Sequence, residues 1–422
     1  MDRNAIEKWL NKYDVENYTI SEDLSIDVVG DVYLSYSSLV EIPVKFRKVS
    51  GDFSCSNNNL TSLSGCPVEI GGSFNCGSNR LSSLLSCPIK SVNDFNCEYN
   101  ELTSLVGCPL LVGGFNCGHN ELISLEGCPT EVVGNFSCYG NKVINLFYGP
   151  IKVGGYYSCI GNKITTLEGC SIMVGGNFDC NSNKITSLEF SSLDIGGGFY
   201  CFNNLLTSLV GCPEKIVGSF NCNANKLPNL VGCPSSVGGN FHCSNNGMVS
   251  LLGCSNYIYG NFYCSSNGLV DLVGCAERVG GLYCNSNKLT SLEGCPERVS
   301  GSFFCNNNKL PLLLNCPTEV GIAFDCSGNK LTSLEFGPTI LGGYFNCSNN
   351  KLKSLEFLPV ISENSFLVSM GNKLSEVECF LYDYSGEQIR SYYISKNLNV
   401  VINSGLDNDL EQKVDLIKKN KI

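Results

Sequence analysis

The chain of 422 residues has a formal charge of −11 at pH 7 and an isoelectric point near 4.8. Broad binding to nucleic acid or to an anionic membrane needs basic patches, so this charge balance argues against both. The sequence contains neither a run of about 18 apolar residues nor a basic start followed by an apolar stretch. We therefore expect no membrane span and no secretory signal, and we place the protein in the cytoplasm.

The N-terminal segment has the pattern of a short helix followed by two strands. Within residues 4–13, Ile6, Trp9 and Leu10 recur at helical spacing. The next stretch, YTISEDLSIDV, alternates as a strand does and has a turn at its centre. We expect residues 1–30 to form an N-terminal cap whose helix lies over the first turn of a repeat array.

A segment of the form F-x-C-x-x-N-x-L then recurs along most of the chain. Most repeats are 21 residues apart, and a fixed period in the twenties predicts a solenoid whose turns stack on one another. We assign residues 31–375 to this solenoid, with about 17 turns. The large first residue of each turn falls at Val32, Phe53, Phe74, Phe95, Phe115, Phe136, Tyr157, Phe178, Phe199, Phe220, Phe241, Phe262, Leu282, Phe303, Phe324, Phe345 and Leu367.

One turn, GSFNCNANKLPNLVGC, shows the expected role of each position. Phe220 and Cys222 share one face of a short strand, because side chains alternate along a strand, and this face points inward. Leu227 and Leu230 continue the apolar side beyond the bend. The Gly-Cys-Pro segment predicts a turn, and the glycine pair before most strands predicts the next tight corner.

This pattern resembles the leucine-rich repeat, L-x-x-L-x-L-x-x-N-x-L, with Phe and Cys in place of its second and third Leu. The resemblance implies a mostly β repeat solenoid with a parallel sheet on the concave face, little helix and small caps at both ends. The form NxLTSLEGCPxxVGGxFxC, preceded by NYTISEDLSIDVVGDVYL, is similar to a leucine-rich family of large tailed phages and other viruses. A parallel β-helix stays open as the alternative fold, because 21 residues also make one triangular coil.

An asparagine column accompanies the repeat. A tight inward bend leaves backbone N–H and C=O groups without partners, and an Asn amide has both donors and an acceptor. We expect each Asn to bond its own bend and the next turn, so that Asn183→Ala costs about 1–3 kcal/mol. The column comprises Asn58, Asn79, Asn100, Asn120, Asn141, Asn162, Asn183, Asn204, Asn225, Asn246, Asn267, Asn287, Asn308, Asn329, Asn350 and Asn372.

The cysteines form two columns, fifteen in the strands and eleven in the turns between them, with Cys379 alone. We favour thiols that act as small core residues. Disulfides between stacked turns are the second interpretation, although in-register side chains rarely offer the required dihedral angle near 90°. A metal-binding column is the third, but the C-x₂-C pairs and histidines typical of zinc sites are missing. We expect neither a metal nor another cofactor.

The C-terminal residues 376–422 are predicted to form a second cap. IRSYYI and LNVVIN have strand composition, and residues 406–419 favour a terminal helix, which alternatively docks a partner. The segment is too short for a catalytic domain, and Cys379 has no histidine near it in the sequence. The chain also has no triad pattern, phosphate loop or paired carboxylates, so we predict that it is not an enzyme.

Residues that point away from the core are small on most turns, but nine of them are larger. We expect these nine to stack into a binding stripe over about eight neighbouring turns, because exposed aromatics are typical binding anchors. The alternative is that the sheet tolerates them as good strand formers. The nine residues are Tyr139, Tyr156, Ile160, Tyr200, Phe202, His242, Tyr263, Tyr283 and Phe304.

The sequence thus predicts a non-enzymatic protein–protein interaction module that binds a protein partner through its concave face. Asp52, Asp94, Glu98, Asp179 and Asp325 lie near the stripe and favour a neutral or basic partner. The phage resemblance implies a host-interaction or virion-associated role in the host-cell cytoplasm. A carbohydrate-binding or adhesive module is the alternative. We expect a monomer that binds neither nucleic acid nor membrane.

Overall fold

The computed structural model describes residues 1–88, 93–189, 194–361 and 366–374. The chain divides into two compact units, residues 1–218 (unit 1) and 219–422 (unit 2), and each is described by itself. Both consist of stacked turns with very short parallel strands. The predicted C-terminal cap, residues 376–422, and Cys379 lie outside the described residues.

The predicted N-terminal helix is present as α1, Arg3–Lys12. It begins after Asp2, whose carboxylate accepts a hydrogen bond of 2.8 Å from the backbone N–H of Ala5, as a helix N-cap does. Ile6 and Leu10 are buried on one side of the helix, which confirms the helical spacing that predicted it. Among the described ranges, no helix has the length and apolar composition needed to cross a bilayer.

The predicted strand pair follows as β1, Tyr18–Ile20, and β2, Ser25–Val28, which are antiparallel. The ring of Trp9 on the helix meets that of Phe46 edge-on, with 6.3 Å between centroids, and Phe46 contacts Phe53 at 5.4 Å. Helix and first turns therefore share one apolar cluster. The division of the chain into caps and solenoid stays a prediction.

A first ladder of parallel strands runs along each unit, and within a unit every strand pairs in register with the one before it. All seventeen large residues predicted to start a turn also start one of these strands. The strands are Val32–Tyr33, Phe53–Ser54, Phe74–Asn75, Phe95–Asn96, Phe115–Asn116, Phe136–Ser137, Tyr157–Ser158, Phe178–Asp179 and Phe199–Tyr200 in unit 1, then Phe220–Asn221, Phe241–His242, Phe262–Tyr263, Leu282–Tyr283, Phe303–Phe304, Phe324–Asp325, Phe345–Asn346 and Leu367–Val368 in unit 2.

A second set of parallel strands, which we did not predict and call the second ladder, lies before the glycines in several separate short sheets. The second residue of the pair is an aliphatic side chain that is buried in the core, as in Val153 and Val174. The strands are β2, Lys45–Val49, Glu69–Ile70, Glu131–Val132, Lys152–Val153, Met173–Val174, Asp194–Ile195 and Lys215–Ile216 in unit 1, then Ser236–Val237, Tyr257–Ile258, Arg298–Val299, Glu319–Val320, Ile340–Leu341 and Val360–Ile361 in unit 2.

The glycine pair serves close stacking as well as turning. A Cβ atom on Gly154 would collide with the carbonyl oxygen of Val133 in the preceding turn. The backbones of neighbouring turns approach so closely here that no larger residue fits without a shift. The prediction of a tight corner therefore missed the stronger reason for glycine.

The core is filled by the predicted columns of Phe, Cys and Leu. Phe220, Cys222, Leu227 and Leu230 are completely buried. The phenylalanine rings stack from turn to turn, as in Phe324 and the ring that follows it at 5.4 Å. All 26 cysteines of the described residues are thiols rather than disulfides. Fifteen of them are wholly enclosed strand-column residues, which fits the interpretation of the thiol as a small core side chain.

Each column Asn bonds its own bend and the preceding turn. The Nδ2 group of Asn183 donates to the carbonyls of Cys180 and Asn181, and also to that of Cys159 one turn earlier, at 3.0–3.1 Å. Its Oδ1 atom accepts the N–H of Ile164, again one turn earlier. The predicted ladder is therefore present. However, we expected each Asn side chain to bond the next turn, whereas it bonds the preceding one.

One turn shows paired changes in the core. Tyr157 replaces the usual Phe, and Gly149 replaces the usual turn cysteine. A Cβ atom on Gly149 would lie 3.3 Å from the Tyr157 hydroxyl oxygen, so the missing side chain leaves room for the hydroxyl. That hydroxyl is buried and has no hydrogen-bond partner among the described residues.

Candidate functional site

The nine predicted site residues occupy three different outward columns. We name these by position relative to the large strand residue: leading, one before it; central, one after it; and trailing, three after it. Tyr156 is in the leading column. The central column has Tyr200, His242, Tyr263, Tyr283 and Phe304, and the trailing column has Tyr139, Ile160 and Phe202. They therefore do not form the single stripe that we expected.

In unit 2, four rings of the central column stack on four successive turns. The centroids of His242 and Tyr263 lie 4.4 Å apart with planes 3° from parallel, and those of Tyr263 and Tyr283 lie 4.5 Å apart at 17°. Phe304 meets Tyr283 edge-on at 5.1 Å. All four side chains are half-buried. We call this set the ring column.

Stacking covers both faces of Tyr263 in the ring column, one by His242 and one by Tyr283, and leaves its edge outward. The Tyr263 hydroxyl accepts a hydrogen bond of 3.0 Å from the side-chain amide of Asn261, which leaves its own proton for another acceptor. Burial lowers the pKa of His242, so its imidazole is neutral at pH 7.

On other turns, an Asn or Asp in the central column has a structural role that the sequence analysis missed. The side chain of Asn221 accepts the N–H of Asn223 at 3.0 Å, and Asp325 accepts that of Ser327 at 2.9 Å. The carboxylate or amide thus satisfies the backbone at the start of the bend. These outward polar side chains are therefore bonded to the backbone of their own bend.

Turns with an aromatic residue in the central column lack the bond between the central side chain and the backbone N–H two residues ahead. The aromatic ring offers no acceptor in that position. In the described part of unit 2, the N–H groups of Ser265, Asn285 and Asn306 have no protein acceptor. The ring column therefore stands where the local backbone favours Asn or Asp, and neither the core nor the bend explains it.

In unit 1, Tyr139 is held against a carboxylate two turns away. Its ring lies over Gly118, where a Cβ atom would collide with it, and its hydroxyl donates to Glu98 Oε2 at 2.9 Å. The same oxygen accepts from Asn116 at 2.8 Å. Burial, and after it the contact with the Glu98 carboxylate, raises the pKa of Tyr139.

Tyr99 and His119 extend this cluster, and the sequence analysis did not select them. Their rings stack at 4.4 Å, and His119 meets Tyr139 edge-on at 4.7 Å. Both have positive φ angles, 52° and 46°, in the bend just after the trailing column. Most turns have Asn, Ser or Gly there, so a bulky ring at a left-handed position was the signal that could have revealed them.

The other predicted residues of unit 1 are separate. Tyr156 is 44% exposed in the leading column, and Ile160, Tyr200 and Phe202 are half-buried. No ring contact joins them within residues 1–88, 93–189 and 194–218. Over the described residues of the whole chain, no group of three or more His, Cys, Asp or Glu could hold a metal ion.

No protein-family model and no curated protein sequence matches this chain. Among solved structures, it is similar to YopM from Yersinia enterocolitica, with a TM-score of 0.54, 17% identity and coverage of 82% of this chain and 88% of YopM. A leucine-rich repeat protein of Leptospira interrogans matches with a TM-score of 0.45, 15% identity, and coverage of 85% and 93%. The functional domain of InlJ from Listeria monocytogenes, described as including a cysteine ladder, matches with a TM-score of 0.37 and 18% identity. The match covers 60% of this chain and 64% of the InlJ domain.

The match to YopM and the stacked parallel strands support the leucine-rich repeat fold over the alternative of a parallel β-helix. At 17% identity this similarity shows the fold alone. The resemblance to phage proteins is not supported by these comparisons.

Proposed function

We propose that this protein is a non-enzymatic interaction module that binds a protein partner through the outward face of its first ladder. The ring column of unit 2 carries this proposal. Four consecutive turns have a half-buried ring where the bend favours Asn or Asp, and three of these turns leave a backbone N–H without a protein acceptor. Side chains that break a local rule without a gain in the core are typical of functional surfaces.

The geometry of the ring column also favours a protein over a sugar. Carbohydrate sites usually expose one ring face against the sugar, with polar groups at its side. In the ring column, both faces of Tyr263 are covered by neighbouring rings. What remains of Tyr263 is its edge and its hydroxyl, which suits contact with a polypeptide. The carbohydrate-binding or adhesive alternative is therefore less favoured.

The test compares two double variants of the full chain in affinity capture from cells of the source organism. Tyr263→Ala with Tyr283→Ala removes the centre of the ring column. Tyr257→Ala with Tyr259→Ala is the matched control, because these tyrosines belong to the same unit and are 44% and 76% exposed, but one is in the second ladder and the other follows it. We expect one dominant protein partner to be lost only with the ring-column variant.

Circular dichroism and thermal melting of both variants show whether the fold is intact. Equal recovery of the same proteins by the wild type and a folded ring-column variant would reject the site. Recovery that depends on glycans, and that survives protease treatment of the lysate, would favour the carbohydrate alternative.

The broader setting belongs to the same proposal. We propose a reducing compartment such as the cytoplasm, because the 26 described cysteines are thiols and thiols persist there. A host-interaction or virion-associated role, and the monomeric state, stay predictions from the sequence. The remaining site residues, Tyr139, Tyr156, Ile160, Tyr200 and Phe202, are proposed secondary contacts in unit 1.

A further inference from the structure

A column of lysines lies beside the bends of unit 2. Lysine directly follows the column Asn on five successive turns, at Lys288, Lys309, Lys330, Lys351 and Lys373, and all five are exposed. The backbone N–H of each donates to a leucine carbonyl of the preceding turn at 2.8–2.9 Å, so the five residues are in register. At a strand spacing of about 4.8 Å, their Cα atoms span about 19 Å.

These charges are not engaged in ion pairs in the described part of unit 2. No ion pair reaches any of the five lysines within residues 219–361 and 366–374. The exposed positions two residues after them hold Thr290, Pro311, Thr332 and another lysine, Lys353. Like charges side by side repel, so this column works against the stacking of its own turns.

The same position in unit 1 has a different pattern. It runs Asn59, Arg80, Glu101, Glu121, Lys142, Lys163, Lys184 and Leu205. Lys142 forms an ion pair with Glu121 on the turn before it. The bend itself therefore does not require lysine, and it accommodates glutamate equally well.

We propose that the lysine column of unit 2 binds an acidic segment of a partner protein. This inference rests on the proposed function, because it specifies the chemistry of that partner. The lysine column and the ring column meet on two turns, where Tyr283 precedes Lys288 and Phe304 precedes Lys309 by five residues. A segment that contacts the ring edges on these turns can continue along the three following lysines.

Charge and hydrogen bonding both favour carboxylates at this surface. Carboxylates accept from ammonium groups and from phenol O–H groups, and Tyr263 still has a proton to donate. Of the five acidic residues that led us to expect a neutral or basic partner, only Asp325 is in unit 2, where it precedes Lys330 by five residues. The other four are in unit 1, so the surface of unit 2 along these turns carries five lysines and one of these acids.

Nucleic acid fits the same surface less well. Proteins that bind single strands combine a basic track with aromatic faces on which bases stack. In the ring column, His242 and Tyr283 already cover the faces of Tyr263, so no base can stack on this central ring.

The test measures binding of fluorescein-labelled poly-L-glutamate to the full chain by fluorescence anisotropy. Lys309→Gln, Lys330→Gln and Lys351→Gln are combined in one variant. The control combines Lys142→Gln, Lys163→Gln and Lys184→Gln, which changes the net charge equally at the same repeat position. We expect the first variant to lose about tenfold in affinity and the control to stay within about twofold, with the difference disappearing in about 0.5 M salt.

Equal losses in the two variants, or no binding by the wild type, would overturn the proposal, because the position of the lysines would then not matter. Single-stranded DNA or heparin that binds more tightly than polyglutamate and depends on the same lysines would overturn the choice of an acidic polypeptide.

The double variant Tyr263→Ala with Tyr283→Ala separates the lysine-column proposal from the ring-column proposal. If that variant captures its partner normally while the lysine variant still loses polyglutamate, the ring-column function fails and the lysine site stands.

Discussion

Inner and outer residues of the same short strands follow different rules. Inside, nearly every turn repeats a large residue, a thiol and two leucines, because each must fill the same space between two neighbouring turns. Outside, the central column has Asn, Asp or Ser on many turns and a series of rings on others, and the position after the column Asn varies until it becomes lysine on the last five turns. Uniform residues therefore maintain the stack, while the residues that vary are where binding is expected.

We expect the largest effect from alkaline pH, which ionises the buried thiols of the inner face. Burial raises the pKa of the Cys138 and Cys347 thiols to about 12, whereas an unfolded cysteine ionises near 8.5. Because the folded pKa is the higher one, the full stability is present below about pH 8.5 and is lost as pH rises toward 12. With many such thiols, we expect the urea midpoint to fall steeply above about pH 9.

Thiolate absorbance, followed together with circular dichroism, checks this cause. We expect thiols to ionise only as the chain unfolds. Ionisation near pH 8.5 with an unchanged spectrum would mean that the inner face is open to water, and the comparison between the faces would fail.

A smaller effect separates two asparagines of one turn. Asn308 donates to three carbonyls and accepts the N–H groups of Asn287 and Leu289, whereas the outward Asn306 has no side-chain hydrogen bond among the described residues. We expect Asn308→Ala to lower the free energy of unfolding by about 3 kcal/mol and Asn306→Ala by less than about 0.5 kcal/mol. Urea denaturation of both variants measures the difference. Similar values would contradict the inner role, at Asn308 and at Asn183 alike.

The smallest effect concerns two neighbouring tyrosines. The buried Tyr157 hydroxyl lacks a partner in the described structure, so Tyr157→Phe removes a desolvation cost and is expected to stabilise the protein by about 1 kcal/mol. Tyr156→Phe, on the outward side and 44% exposed, is the control and should be neutral. A Tyr157→Phe variant that is less stable than the wild type would show that its hydroxyl contributes favourably.

Much of the fold could be predicted from the sequence because the inner columns are periodic. A period of 21 placed all seventeen first-ladder strands, and alternation placed Phe220 and Cys222 in the core. The second ladder was missed, because a two-residue strand such as Lys152–Val153 is too short for alternation to show. The direction of the Asn bonds was also not predictable, because the sequence does not show whether a side-chain amide bonds the preceding turn or the following one.

The candidate site was less predictable, because contacts between outward side chains depend on register and on side-chain direction. The rings from His242 to Phe304 fall in one column and stack, while Tyr139 turns across Gly118 toward Glu98. Tyr99 escaped notice because it lies in the bend, outside the alternating strand positions. A pattern of positions identifies which residues face outward, but not which neighbours they touch.

The backward reach of the column Asn bears on how the chain folds as it is synthesised. Asn329 bonds the Cys305 carbonyl and the Leu310 N–H, both in the turn before its own. A turn emerging from the ribosome therefore keeps unsatisfied backbone groups until the Asn of the following turn arrives, about 20 residues later. Within each unit, folding is then expected to trail synthesis by one repeat and to proceed from the N-terminal turn onward.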